Sequence, residues 1–368
     1  MELKKSILKI DRSFLYINFI FAALLLFSYL SAVISPQKFW PLAFLGLSYS
    51  ILLFINLAFC IYWAIRFKKY FFVSAISISV GFNVLLNSVE FNNSPSTISI
   101  SSTPHLKLMT YNVHNFRTLD TPRNSGAYKP ILKLIDLNQP DIIGIEEYNT
   151  SQFRFKICDS LKKVLNTSQF YFAPFITTKS DSTGLALFSK YPIIHRGVIG
   201  ISNQSDDNQA IYIDIKYRSR IIRIYDFHLH SLEFEAQDYF FLNNFYHRRA
   251  ISWFELKRII SKLKQGFIIR GQQVDIIRQH AAKCPYPYVF MGDLNDTPNS
   301  YTFNQMAMGM KNAFKEKGTG VGKTFNGGFA SFQIDYILVS PQFHVFDYHI
   351  IHKMISDHYP VCSDVVLN

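Results

Sequence analysis

A chain of 368 residues has room for one large or two ordinary domains, and a hydrophobic fraction of 49% with 35 Phe and 21 Tyr is heavy for a protein that lives wholly in water. The four cysteines, Cys60, Cys158, Cys284 and Cys362, are scattered without metal-ligand spacing and suggest neither a zinc site nor a disulfide framework. The formal charge of +12 is divided evenly, since residues 1–89 carry eight basic and two acidic residues and the remainder 30 and 24.

The apolar excess lies near the amino terminus. Residues 14–34 (FLYINFIFAALLLFSYLSAVI) are uncharged and reach the ~20 residues that a membrane span requires. A second uncharged stretch runs from Pro41 to Ile65 and a third from Tyr70 to Val89. Ser74, Ser77, Ser79, Gly81 and Asn83 dilute the third, but small and hydroxylated residues are what helices use to pack on one another in a bilayer. A buried hairpin of soluble helices would show a polar face, and the first two stretches have none. Residues 1–89 are therefore expected to form a three-helix transmembrane region with spans at about 14–34, 41–65 and 70–89.

Lys4, Lys5, Lys9 and Arg12 precede the first span, and Arg66, Lys68 and Lys69 separate the second from the third, while the first loop has only Lys38. That asymmetry predicts a cytoplasmic amino terminus. Three spans then place everything after Val89 outside the cytoplasm, on a multi-pass protein of the cell (inner) membrane. The apolar run is too long for a signal peptide, and no small-residue cleavage site follows it.

Residues 90–104 (EFNNSPSTISISSTP) have the composition of a linker, so a single large domain is expected over 105–368. Within it, strand-like runs alternate with helical patterns: LKLMTYNV, a helix at YKPILKLIDLN, then DIIGIEE, GLALFSK, AIYIDIKY, IIRIYDFHLH, YVFMGD and QIDYILVS. The mixture reads as α/β, with too many short turns for a purely parallel sheet. Residues 236–283 look helical, and 247–283 hold nine basic residues against Glu255 and Asp275. Two readings stay open there: a solvated helix face packed on the sheet, or a clamp for an anionic polymer or membrane surface. GTGVGKT (Gly318–Thr324) imitates a phosphate-binding loop, but Lys317 stands where the motif needs Gly and no strand leads into it.

Polar residues recur beside the strand-like runs: Asn112 in TYNVHNF, Glu147 in PDIIGIEEYN, His228 in YDFHLHS, Asp293 and Asn295 in GDLNDTP, Asp335 in IDYIL, Asp357 and His358 in SDHYP. Singly, each is an ordinary turn or capping residue. Together they could assemble oxygen ligands for a hard cation beside two imidazoles. Asp293 and Asn295, two apart in extended chain, share a face.

In this order, TYNVHNF, PDIIGIEE, GLALFSKYPI, FHL, GDLNDTP, IDYIL and SDHYPV resemble the endonuclease/exonuclease/phosphatase superfamily (deoxyribonuclease I-like) across about residues 106–367. The resemblance implies a four-layered α/β sandwich of two mixed, mainly antiparallel sheets, with the site at one end. It also implies that Glu147 is the main ligand of Mg²⁺, with Mn²⁺ as the alternative, that Asn112 binds the metal or holds that carboxylate, and that Asp357 is a further acid near it. Asp293 and Asn295 would position the attacking water and contact the scissile phosphate. His358, oriented by Asp335, would stand by the phosphoryl group, and His228 by the leaving oxygen. Asn112, Asn295 and His228 would thus also bind substrate.

Glu146, beside Glu147, is expected to point away from the metal, because adjacent strand residues face opposite sides. His230 is expected to be structural. Gln333 stands where many relatives have Arg, and Glu146 where Gln is common. The implied activity is a Mg²⁺-dependent phosphodiesterase, first a nuclease on nucleic acid outside the cytoplasm. The alternatives are a phospholipid or sugar-phosphate phosphodiesterase or phosphatase, and a catalytically idle nucleic-acid-binding or scaffold domain. The lipid bilayer is the other expected partner, and no protein partner can be inferred.

Overall fold

The computed structural model describes residues 2–91, 104–116, 128–151, 156–179, 181–201, 209–232, 234, 237–238, 241, 252–327 and 331–368. Its first helix, α1 (Glu2–Tyr29), continues through a 3-10 turn, and Ile10–Ala32 is the one described helix that is long and apolar enough to cross a membrane unbroken. After the short α2 (Pro36–Phe39), the two later apolar stretches each fold as a bent pair. α3 (Pro41–Leu47) and α4 (Tyr49–Ile65) meet at 63°, and α5 (Phe71–Val80) and α6 (Phe82–Ser88) at 64°. Gly81 occupies the second bend, where its missing Cβ admits the ring of Tyr29.

Polar side chains knit these helices together. Trp63 Nε1 donates to Asn18 Oδ1 (2.9 Å), Asn18 Nδ2 to Ser74 Oγ (2.6 Å), and Ser74 Oγ to Asn56 Oδ1 (2.8 Å). All four residues are buried, and such hydrogen bonds hold helices together where water is absent. Arg66 clamps Asp11 with contacts of 3.0 and 2.9 Å at one end of the bundle. The other end meets the following domain: Ser31 Oγ donates to the Asn299 carbonyl (2.6 Å), and Phe44 packs edge-on against Phe267 at 5.3 Å.

Three residues, Val89–Phe91 (β1), leave the bundle as a strand, so the expected linker begins inside a paired element; its residues 92–103 lie outside the described ones. The large domain follows with β2 (Leu106–Asn112), α7 (Tyr128–Asn138), β3 (Ile142–Ser151), α8 (Lys156–Val164), β4 (Gln169–Thr177) and β5 (Asp181–Ser189). β6 (Ile193–Ile199), β7 (Gln209–Tyr217) and β8 (Arg220–His228) lead to the long α9 (Trp253–Ala281), β9 (Tyr288–Asp293) and α10 (Tyr301–Ala307). The chain closes with β10 (Lys311–Asn312), α11 (Ala313–Lys317), β11 (Thr319–Val321), β12 (Phe325–Asn326), β13 (Ser331–Phe332), β14 (Asp335–Val339), β15 (Phe343–Ile350) and β16 (Val361–Leu367).

Two six-stranded sheets result, ordered β15–β16–β2–β3–β5–β4 and β10–β14–β9–β8–β7–β6. Only β2–β3 and β8–β9 pair in parallel within them. Leu106, Leu108, Ile142 and Leu187 of the first sheet meet Ile213, Ile224, Met291 and Ile337 of the second in the central core. Ile131 and Leu161 of α7 and α8 cover the outer face of the first sheet, and Val274 and Ile277 of α9 that of the second. This is the four-layered sandwich. Within 236–283, the continuous described helix is α9, beginning at Trp253, and residues 247–251 of the basic segment lie outside the described ones. GTGVGKT forms no phosphate loop: Thr319–Val321 pairs antiparallel with Val89–Phe91.

Strand alternation carries the site. On β2, β8, β9 and β14 the inward positions are apolar in mid-sandwich and turn polar at one common end, where Asn112, His228, Asp293 and Asp335 stand. Gly292 adopts φ +133° beside Phe227, and a Cβ there would lie 2.2 Å from the Phe227 carbonyl oxygen. Gly292→Ala is expected to destabilise the domain by about 3 kcal/mol or more, read as a lowered thermal midpoint. An unchanged midpoint would mean that the β8–β9 contact relaxes without strain.

Candidate active site

Register brings the expected residues into two facing rows. Asp293 stands opposite His228 on one side and opposite Asp335 on the other, so adjacent strands of one sheet align three functional groups. Asn112 ends β2 in the opposing sheet beside Glu146 of β3. A bulge between Ile145 and Tyr148 places two β3 residues against one of β5, and Glu147 takes φ +52° there.

The expectation for Glu146 is corrected by that bulge. Alternation through Ile142 and Gly144 turns Glu146 into the space between the sheets, and the bulge breaks that alternation one residue later, bringing Glu147 to the same side. Glu146 is fully buried, receiving a short hydrogen bond from Thr110 Oγ1 at 2.5 Å. Burial, reinforced by the neighbouring carboxylate of Asp226, pushes its pKa well up. Burial likewise lifts Asp226 to about 7. Both acids are thus drawn toward the protonated form, and one proton between them would satisfy the pair.

Both groups bind protons more tightly folded than unfolded, so their contribution to stability is lost as pH rises from the ordinary carboxylate range through about 7. Glu146→Gln, which needs no such proton, is expected to raise the thermal midpoint at pH 8 more than at pH 5. An equal rise at both values would remove the shared proton.

Above this pair, Asn112 Nδ2 bridges Glu147 Oε1 and Asp293 Oδ2 at 3.3 Å each. His228 Nε2 lies 3.7 Å from Glu147 Oε1 and 3.8 Å from Asp293 Oδ2, with Asn295 Nδ2 3.3 Å away. Asn295, at φ +50°, donates its backbone N–H to Asp293 Oδ1 (2.7 Å) and its side-chain amide to the Leu229 carbonyl (3.0 Å). On the far side of Asp293, His358 Nδ1 donates to both oxygens of Asp335 at 3.0 Å, and His358 Nε2 is 3.7 Å from Asp293 Oδ2. One carboxylate thus stands between two imidazoles.

The electrostatics divide the acids. Burial and the charge of Asp335 raise Asp293 to about 6, although both histidines pull against them. Burial alone would lower His358, but Asp335 and Asp293 hold it up at about 10. Burial works to raise Asp357 as well, yet the hydrogen bond from His114 and the charge of His358 bring it down to about 2.

The mouth lies at His114 and Glu147, whose side chains are 42% and 22% exposed. His114 Nδ1 sits 3.2 Å from Asp357 Oδ2 and 3.9 Å from Glu147 Oε2, and Asn115 Nδ2 donates to Glu147 Oε2 at 3.0 Å. His114 and Asn115 are site residues that the sequence reading passed over. Their signal was present in TYNVHNF, two polar side chains directly after the strand end.

Oxygens of Glu147, Asp357 and Asn112 could hold a hard divalent cation, since two carboxylates already converge on one imidazole edge. Asp293, Asp335 and His358 also bring ligand atoms within 4.8 Å of one another. There, however, the imidazole already spends its Nδ1 proton on both Asp335 oxygens.

The supporting frame is buried. Arg270 of α9 donates from Nε to Asp296 (3.2 Å) and from Nη1 to the His230 carbonyl (2.9 Å), tying the loops after β8 and β9 together. Gln273 Oε1 accepts the His230 N–H (2.9 Å). Ser356 Oγ donates to the Asn112 carbonyl (2.9 Å), and Thr324 Oγ1 accepts the Asp335 N–H (3.1 Å). Gln333 is buried against Gly322.

A sequence profile of the Endonuclease/Exonuclease/phosphatase family matches residues 109–358, and one described as a domain of unknown function matches residues 11–88. Among curated proteins, no sequence matches the chain closely enough to count as a relative. An endonuclease/exonuclease/phosphatase from Beutenbergia cavernae is 16% identical with a TM-score of 0.54, covering 72% of each chain. One from Bacteroides vulgatus is 18% identical with a TM-score of 0.53, over 72% of this chain and 100% of that one. The catalytic domain of human Nocturnin with a bound sulfate anion gives 15% and 0.51, over 72% of this chain and 95% of that one. At such identities these structures speak for the fold alone. The sequence match itself spans more than half of the chain, which therefore belongs to the Endonuclease/Exonuclease/phosphatase family, whose members are generally divalent-metal-using phosphoester hydrolases.

Proposed function

We propose that the chain is a Mg²⁺-dependent phosphodiesterase, first a nuclease, whose catalytic domain (105–368) is held outside the cytoplasm by a three-span region (1–89) and a linker (90–104). The observation that carries the activity is the carboxylate of Asp293 flanked by two imidazoles, at 3.8 Å from His228 and 3.7 Å from His358. Such a row suits a phosphate with one ester oxygen to expel.

Glu147, Asn112 and Asp357 would hold the cation, Mg²⁺ or Mn²⁺, which when bound neutralises charge on the phosphate. Asp293, ionised above about 6, accepts the proton of the attacking water, and the amide of Asn295 positions that water and the phosphate. His358, kept protonated by Asp335, donates to the phosphoryl oxygen as negative charge gathers there. His228 faces the leaving oxygen.

The bundle supports the topology. Its Asp11–Arg66 end carries the basic residues, while its Ser31 end touches the catalytic domain. Spans at about 14–34, 41–65 and 70–89 follow if each bent pair crosses once. Protease added to intact spheroplasts of the host cell should then digest the domain; protection until the membrane is broken would reverse the orientation.

A lipid-linked phosphodiester is the second reading, because the loop bearing Asp293 and Asn295 runs on to Asn299, which accepts the hydrogen bond of Ser31. Turnover by the detergent-solubilised full chain on single- and double-stranded DNA, RNA, phospholipid and sugar phosphate, with Mg²⁺, Mn²⁺ or chelator, tests both. Metal-dependent cleavage of nucleic acid is the expected result. Cleavage of phospholipid or sugar phosphate alone would transfer the assignment, and no turnover with either metal would leave an idle binding or scaffold domain.

A further inference from the structure

α9 meets the bundle at its middle, along one stripe. Gly271 lies against Pro36, where an added Cβ would sit 3.4 Å from the ring, Phe267 packs on Phe44 at 5.3 Å, and Lys264 Nζ stands 5.1 Å over the ring of Trp40. The carboxyl-terminal half of α9 is occupied on the catalytic sheet through Val274, Ile277 and Ala281. The amino-terminal half continues past the bundle and ends in Trp253 and Phe254, each 74% exposed.

Helical periodicity says which way that overhang faces. At about 100° per residue, Trp253 lies five whole turns before Gly271 and so on the same face, with Lys257, Ile260 and Lys264 within about 40° of it. Trp253 therefore extends the stripe that rests on the bundle, at roughly 17 Å beyond Lys264. Trp253 thus overhangs the part of α9 that contacts the bundle, and with residues 1–89 read as membrane-spanning, lipid is the neighbour such an overhang would meet.

α3, bent 63° from α4, runs nearer the plane of a bilayer than its normal if α4 stands upright, and α9 packs on α2 and α3. Lysines keep the overhang out of the hydrocarbon, while Trp favours the headgroup level and Lys reaches phosphates from it. Arg258 and Lys262, on another side, are already paired with the buried Asp238 at 2.8 and 2.9 Å, which removes them from a polymer clamp.

We infer that the Trp253–Lys264 face of α9 is a second membrane contact, seated in the headgroup layer beside the spans, which holds the catalytic mouth at a set height and tilt over the bilayer. This rests on the reading of residues 1–89 as membrane-spanning. The test is photocrosslinking of the full chain in nanodiscs of phosphatidylcholine and phosphatidylglycerol, with benzoylphenylalanine placed singly at 253, at 276 and at 54. Ile276 is exposed on α9 but roughly 140° round from Trp253, and Phe54 is 74% exposed on α4.

Strong lipid adducts at 54, and at least about tenfold more at 253 than at 276, are expected. Adducts at 54 with 253 no higher than 276 would overturn the contact and leave the spans standing. Absence of adducts at both 54 and 253 would remove the spans and the contact with them.

Discussion

Asp293→Asn should abolish measurable hydrolysis, lowering kcat by about 10³-fold or more, while leaving the thermal midpoint level or slightly raised. The two outcomes have one cause. Asp293 is fully buried, and its carboxyl is lifted to about 6 by burial and by Asp335, so ionising it costs the folded domain free energy at neutral pH. An amide avoids that cost, keeps an oxygen for the Asn295 N–H, and cannot take a proton from water. A merely structural carboxylate would behave in the opposite way, with stability lost and activity retained. Glu147→Ala and His358→Ala should also lose turnover with the fold intact. Steady-state rates beside a melting curve decide it, and rates within tenfold of the parent in two of the three variants would dissolve the proposed site.

Asp335→Asn should lower kcat at pH 8 by about 10²-fold and move both limbs of the pH–rate profile to lower pH. The acidic limb reports Asp293, needed ionised, at about 6, and the alkaline limb reports His358, needed protonated, at about 10. Asp335 raises both: it disfavours a second negative charge on Asp293 and favours the positive charge on His358. Its neutral replacement therefore shifts activity downward in pH, so that a rate lost at pH 8 is partly recovered near pH 6. A profile lowered uniformly, with both limbs in place, would assign Asp335 to packing and leave the imidazolium role without support.

The motifs were readable because they are local. GDLNDTP places a polar group at the end of an apolar strand and SDHYP one just before the next, and period-two alternation tells which neighbours share a face. Where that period breaks, the reading failed. No propensity in GIEEY announces the bulge that brings Glu146 and Glu147 to the same interior, and the pairing of Glu146 with Asp226 joins two sheets far apart in sequence. His114 and Asn115 were passed over because their left-handed backbone, at φ +45° and +55°, folds them back over Glu147, which extended geometry does not suggest.

Sequence patterns alone determined that an apolar amino-terminal region precedes an α/β domain, and the ordered motifs that resemble this family named which side chains are candidates for chemistry. Both depend on short-range patterns: runs of uncharged residues, alternation along strands, and polar groups at their ends. Tertiary structure decided what depends on register and on contact between distant segments. It aligned His228, Asp293 and Asp335 across three strands, stitched Val89–Phe91 to Thr319–Val321, and seated Ser31 on Asn299 and Phe44 on Phe267. The free energy of those contacts is gained only when both partners leave water together, so neither segment carries a trace of it alone.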